Sequence, residues 1–179
     1  MATSYTTLGL AKPGAGELSG TWGTTINNEL TDLVNEAVSG YVSVAMSDAD
    51  YTTFSSDGFT NGASANARNA AIKMTGALSA NRNVQVPAVE KVYIFINGTT
   101  DSGSSGPYSI TVKTPTGSGI AIPNGKAALL LCDGVNVVEA LTNITSNATM
   151  GGTLGVTGAT SLAATTVSTT LGVTGNVTV

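Results

Sequence analysis

Histidine is absent from this chain, and with it the commonest general base and the commonest metal ligand. A single cysteine, Cys132, excludes an intrachain disulfide framework and every paired-cysteine zinc or redox site. Charge is scarce. The 7 basic and 11 acidic residues make up 10% of the chain, against about 25% in ordinary soluble domains. A net charge of −4 without a basic cluster offers no surface for phosphate backbones, so no nucleic-acid partner is expected. No apolar run approaches the ~18 residues of a membrane span, so no membrane insertion is expected. Met1 to Leu10 lacks a basic stretch followed by an apolar core, and is not expected to be a secretory signal. Thr, Ser, Asn and Gly fill the gap, supplying 81 of 179 residues. The balance points to a polar, uncharged, mainly β protein made in a cytoplasm, and away from an enzyme.

Three zones follow one another. Residues 1–40 open with turn residues (Pro13, Gly14, Gly16, Gly20), which predict an extended leader. Trp22, Ile26, Leu30, Leu33, Val34, Ala37 and Val38 then recur at spacings of three and four, predicting an amphipathic helix from about Trp22 to Ser39. Thr21, Thr24 or Thr25 would cap its start, and Gly40 would take the left-handed position after its end. Ile26, Leu30, Leu33 and Ala37 also fit a short heptad-like bundle of three copies.

Residues 41–141 carry short alternating or β-branched segments at Tyr41, Ile72–Met74, Val84–Val86 and Ile110–Val112. Val92 to Ile96 is apolar throughout, as in a strand covered on both faces. Asp57-Gly58, Asn61-Gly62, Asn97-Gly98, Gly106-Pro107 and Pro123-Asn124-Gly125 mark turns. Asp133-Gly134 between Ala127–Cys132 and Val135–Leu141 predicts a two-residue hairpin. Together these features predict an antiparallel β-sandwich or small barrel.

Residues 142–179 contain no charge and no aromatic. LGVTG occurs at Leu154–Gly158 and again at Leu171–Gly175. From Leu154 onward the large apolar residues are Leu154, Val156, Leu162, Val167, Leu171, Val173, Val177 and Val179, and paired members lie two apart, the strand period. So few side chains do not offset the entropy of ordering their backbone within one chain. Three identical threads wound about one axis would bury them and pair every open edge. The rival is a disordered low-complexity tail.

No catalytic constellation assembles from the residues. Asp48 and Asp50 could supply carboxylates to an ion, although the calcium-loop pattern lacks its third acid, Gly and terminal Glu; the alternative is a polar turn leading into Tyr51. Gly14-Ala15-Gly16 and Gly125-Lys126-Ala127 lack the remaining residues of phosphate loops and are expected to be turns. Cys132 is expected to be a small core residue. The sequons at Asn97, Asn143, Asn147 and Asn176 are chance matches in a chain rich in Asn and Thr. Trp22 either packs on its own domain or anchors an interface.

The string GELSGTWGTTINNELTDLVNEAV (Gly16–Val38) resembles the N-terminal region of tail fibre proteins of tailed bacteriophages, especially the short-tailed, cyanophage-like type. NGKAALLLCDGVNVVEAL (Asn124–Leu141) is similar to the closing hairpin of the β-domain that follows there, and LGVTG and TGNVTV to triple-stranded β-thread shafts. The resemblance implies a homotrimeric structural protein of the virion tail, with no cofactor, metal or catalytic residue. Its N-terminal part would attach to tail adaptor or nozzle proteins, and its shaft would serve host adsorption. Receptor contact would belong to residues beyond this chain. Tyr5, Leu8, Leu10, Leu18, Trp22 and Ile26 are the candidates for the tail interface, and the eight Leu and Val residues from Leu154 to Val179 for the trimer axis. The alternatives are a carbohydrate-binding β-module of a bacterial surface adhesin and a polysaccharide-degrading tailspike whose enzyme part would lie beyond Val179.

Overall fold

The computed structural model describes residues 3–103 and 105–143. The candidate shaft and its axis residues, Leu154 to Val179, lie outside the described residues. The chain divides into a unit of residues 1–143 and a second of 144–179; the first is described below.

Its core is built by strands in which buried and more exposed side chains alternate, so that each strand turns one face inward. β1 (Ser4–Tyr5) and β2 (Ala11–Lys12) pair as a small hairpin within the leader. β3 (Tyr41–Ala45), β4 (Ala71–Thr75) and β7 (Lys91–Asn97) lie side by side in parallel, with Tyr41 against Ala71 and Ala71 against Ile94. β5 (Ala77–Leu78) is parallel to β8 (Thr100–Asp101), and β6 (Arg82–Gln85) to β9 (Ile110–Lys113). The run β4-β5-β6 is thus stacked on β7-β8-β9, strand upon equivalent strand. Tyr51 extends the stack by a parallel bridge to Val84, just as β3 extends it beside β4. The chain winds as a short coil of parallel strands around one core. β10 (Gly119–Ile122), β11 (Ala127–Cys132) and β12 (Val137–Glu139) then close it with antiparallel pairings.

The domain is mainly β, as the composition predicts, but the expectation of an antiparallel sandwich or barrel is corrected. Period-two alternation reports that a strand is half buried; it carries no information on the direction of its neighbour. The β4–β7, β5–β8 and β6–β9 pairs are reached through strands of the other sheets and not through a crossover helix, and only the β3–β4 connection carries short helical turns. Inside the coil, Ile72, Met74, Leu78, Val84, Tyr93, Phe95, Ile110 and Val112 are fully buried. Phe54 links the rings, 4.6 Å from Tyr51 and 6.4 Å from Phe95 between centroids. Gly76 turns the corner between β4 and β5 at φ +121°, where a Cβ would run into the Met46 carbonyl oxygen of the preceding layer.

The predicted helix spans the expected residues with an irregular middle: α1 (Trp22–Thr25), a π-helical stretch (Ile26–Thr31) and α2 (Asp32–Ser39). Thr31 Oγ1 donates to the Ile26 carbonyl five residues back, at 3.0 Å, the reach of a π-turn. Three local expectations are corrected. No threonine side chain caps the helix start. Gly40 is extended, at φ −64°; glycine is needed there because a Cβ would meet the Glu36 carbonyl and Asn69. The hairpin between β11 and β12 has a four-residue loop, because Cys132 pairs with Val137. Asp133 holds that loop by accepting from Val135 N–H at 2.8 Å and Asn136 N–H at 2.6 Å. A fourth correction concerns β7. Tyr93 and Phe95 are buried, but on its other face Val92 and Ile94 are 54% and 43% exposed in the single chain.

α3 (Thr53–Asp57) and a 3₁₀ turn (Asn66–Arg68) lie in the long connection from β3 to β4 and carry Phe54, Ala67 and Arg68 into buried positions.

Candidate interaction surface

The leader, the helix and the β3–β4 connection meet at Arg68, whose side chain is fully buried. Its Nε donates to the Leu8 carbonyl at 2.8 Å; Nη1 donates to the Glu36 carboxylate at 2.7 Å and the Ala63 carbonyl at 2.8 Å; Nη2 donates to the Thr60 carbonyl at 2.7 Å. The planar fork of five donors suits such a site, where an ammonium would leave carbonyls unpaired. Glu36 also accepts from the Ser64 hydroxyl at 2.7 Å and from Ala65 N–H at 3.2 Å. Gly62 N–H donates to the Gly9 carbonyl at 3.0 Å. Gly9, at φ +76°, lies so close to the Phe59 and Thr60 carbonyls that a Cβ would collide with them. The leader is therefore clamped to its own domain at Leu8–Gly9. Neither Arg68 nor Glu36 stood out in the sequence, since nothing local distinguishes them from surface charges.

Of the candidate tail-interface residues, Leu8 is held in this clamp through its carbonyl. Leu8, Leu10, Leu18 and Ile26 are half-buried, and Tyr5 is exposed on β1. Trp22 is 66% exposed, so its own domain does not cover it. One helix face carries Leu33 into the domain, while Val34 and Val38 form a second, exposed stripe. The structure thus joins Trp22 and an apolar helical stripe to a locked frame.

The other candidates resolve into structural roles. Asp48 accepts from Ser79 N–H and hydroxyl and from Arg82 Nε and Nη2, and these bonds, those from Ser79 foremost, hold its pKa down at about 2. Asp50 accepts from Asn83 N–H and Nδ2, both at 2.8 Å, which lowers its pKa. The pair ties the β3 end to β6 as a polar turn; among the described residues no three His, Cys, Asp or Glu side chains converge as metal ligands. Gly14 N–H donates to Glu17 at 2.7 Å within a turn, and Gly125 N–H to the Asn97 carbonyl. Asn97 is fully buried, donating to the Ile122 carbonyl and accepting from Thr99, so its sequon is a packing motif. Cys132 is a buried core thiol beside the Pro87 carbonyl.

Lys91, opposite Cys132 in the sheet, is buried with its Nζ 4.4 Å from the Tyr93 ring centroid and hydrogen-bonded to the Asn69 and Val92 carbonyls. Burial, with Arg68 nearby, lowers its pKa to about 8. The Tyr93 hydroxyl has no hydrogen-bond partner among the described residues, and burial raises its pKa. The unfolded chain, with lysine near 10.4, binds more protons above pH 8 than the folded one, so this lysine's penalty is relieved as pH rises from about 8 to about 10.4. Lys91→Met is expected to be more stable than wild type at pH 7, with the gap closing across that window. Denaturant titrations at stepped pH measure it; a gap independent of pH would show that Lys91 is not strained by its charge.

Comparison with protein-family models, with curated proteins and with solved structures finds no match for the chain.

Proposed function

We propose that this chain is the tail-proximal part of a trimeric bacteriophage tail fibre, a structural protein of the virion without catalytic activity. The leader and helix dock onto tail adaptor or nozzle proteins, and residues 142–179 begin a three-stranded β-thread shaft that projects toward the host. The observation that carries the docking role is Trp22, two-thirds exposed at the start of a helix whose frame is locked through Glu36 and Arg68. An exposed tryptophan at one end of a helical segment whose other end exposes Val34 and Val38 is an anchor ready for a partner's pocket, and such residues dominate interface energetics. The resemblance of Gly16–Val38 to fibre N-termini supplies the kind of partner.

The clamp also decides how to test the role. Removing residues 1–39 would take away Glu36 and the buried Leu33, and would confound docking with folding. Trp22→Ala touches neither. Assembled virions carrying Trp22→Ala are expected to lack most of their fibres, while the purified full-length chain keeps its oligomeric state and melting temperature. A full complement of fibres on mutant virions would overturn the docking role.

A further inference from the structure

The five-stranded sheet runs in the order β12-β11-β7-β4-β3, and its two faces differ in what covers them. The inner face packs on the coil's core. The outer face carries Val138, Leu131 and Val92 in one row and Leu129, Ile94, Ala71 and Tyr41 in the next; a third row holds Ala127, Ile96, Lys73 and Ser43. Lys73 is the single charge among these positions, and it lies toward the β3 side. Val92, Ile94, Leu129, Leu131, Val138 and Tyr41 are between 37% and 59% exposed. On neighbouring strands in register they form one contiguous apolar patch, and such a patch marks an interaction surface.

We infer that this outer face is where copies of the chain pack against one another. Two further observations select a second copy as the occupant. The patch is densest at the β12-β11-β7 end, and β12 is the last strand before the chain runs on into residues 144–179. That segment is uncharged, holds the LGVTG repeats, and is too sparse in large apolar residues to bury itself. Threads that need one another must start close together, which brings the neighbouring sheet ends into contact. The surface also suits identical partners: in a chain of net charge −4, the face contains no acidic residue to repel its copy. The inference rests on the homotrimer in the proposed function and adds the surface that builds it.

Full-length protein with Ile94→Cys, Leu131→Cys or, as an off-face control, Asp57→Cys is sized by native mass spectrometry and then pulsed with a maleimide; the native Cys132 is buried. Hydroxyl-radical footprinting of the unmodified chain repeats the comparison between Val92, Ile94, Leu129 and Leu131 and the exposed loop residue Val135. The expected result is a trimer in which the face positions react at least about tenfold more slowly than the controls. A trimer whose face positions react as fast as the controls would overturn the interface and leave the homotrimer standing. A monomer overturns both, and protection within a monomer would assign the face to the chain's own residues 144–179.

Discussion

Arg68→Ala is expected to destabilise the unit of residues 1–143 by about 3–5 kcal/mol, because it strands a mostly buried carboxylate. The lost groups are specific: Glu36 loses its ion-pair partner, and the Leu8, Thr60 and Ala63 carbonyls lose their donors at once. For a unit of this size the melting temperature should fall by about 10–20 °C. Arg68→Lys should recover only part of the loss, since one ammonium does not reach four acceptors held in a planar fan. Arg82→Ala is the control: the Arg82–Asp48 pair is a quarter to two-fifths exposed and solvent takes over its role. Thermal and denaturant unfolding of the three variants measure the ranking. Hydrogen exchange should also quicken at the leader, because Gly9 and Leu8 are held through this one side chain and Gly62. Equal losses from Arg68→Ala and Arg82→Ala would remove the clamp from the account of the fold.

Val156→Asp combined with Val173→Asp is expected to abolish trimer assembly. If the two valines face a shared axis, the double variant brings six carboxylates from three chains into a dry core, where each unpaired charge costs several kcal/mol. Sedimentation of the full-length chains should show trimers for the wild type and monomers for the double variant. In the proposed thread, Thr157→Asp with Thr174→Asp would place the same charges one residue along, away from the axis, and should leave assembly intact. A double valine variant that assembles with unchanged heat resistance would remove these residues from the axis. Because Arg68 and the valines lie in different units, the two experiments separate folding of the β-domain from assembly through the proposed shaft.

Composition alone made a mainly β chain legible, and the spacing of apolar residues placed the Trp22–Ser39 helix and the strands around Ile72, Tyr93, Ile110 and Leu130. These are local properties: a side chain's period along the backbone says which of its neighbours share a face. What lay beyond reach were relations between distant segments. Alternation at Ile72–Met74 and at Tyr93–Phe95 does not reveal that these strands run parallel and side by side, because pairing is set by how the intervening chain wraps the core. The apolar run Val92–Ile96 suggested a strand covered twice, yet folding of one chain covers only the Tyr93–Phe95 side. Arg68 and Glu36 were invisible for the same reason. A charge 32 positions from its partner becomes a structural clamp only when the fold removes both from water and surrounds them with carbonyls and amides that water would otherwise satisfy.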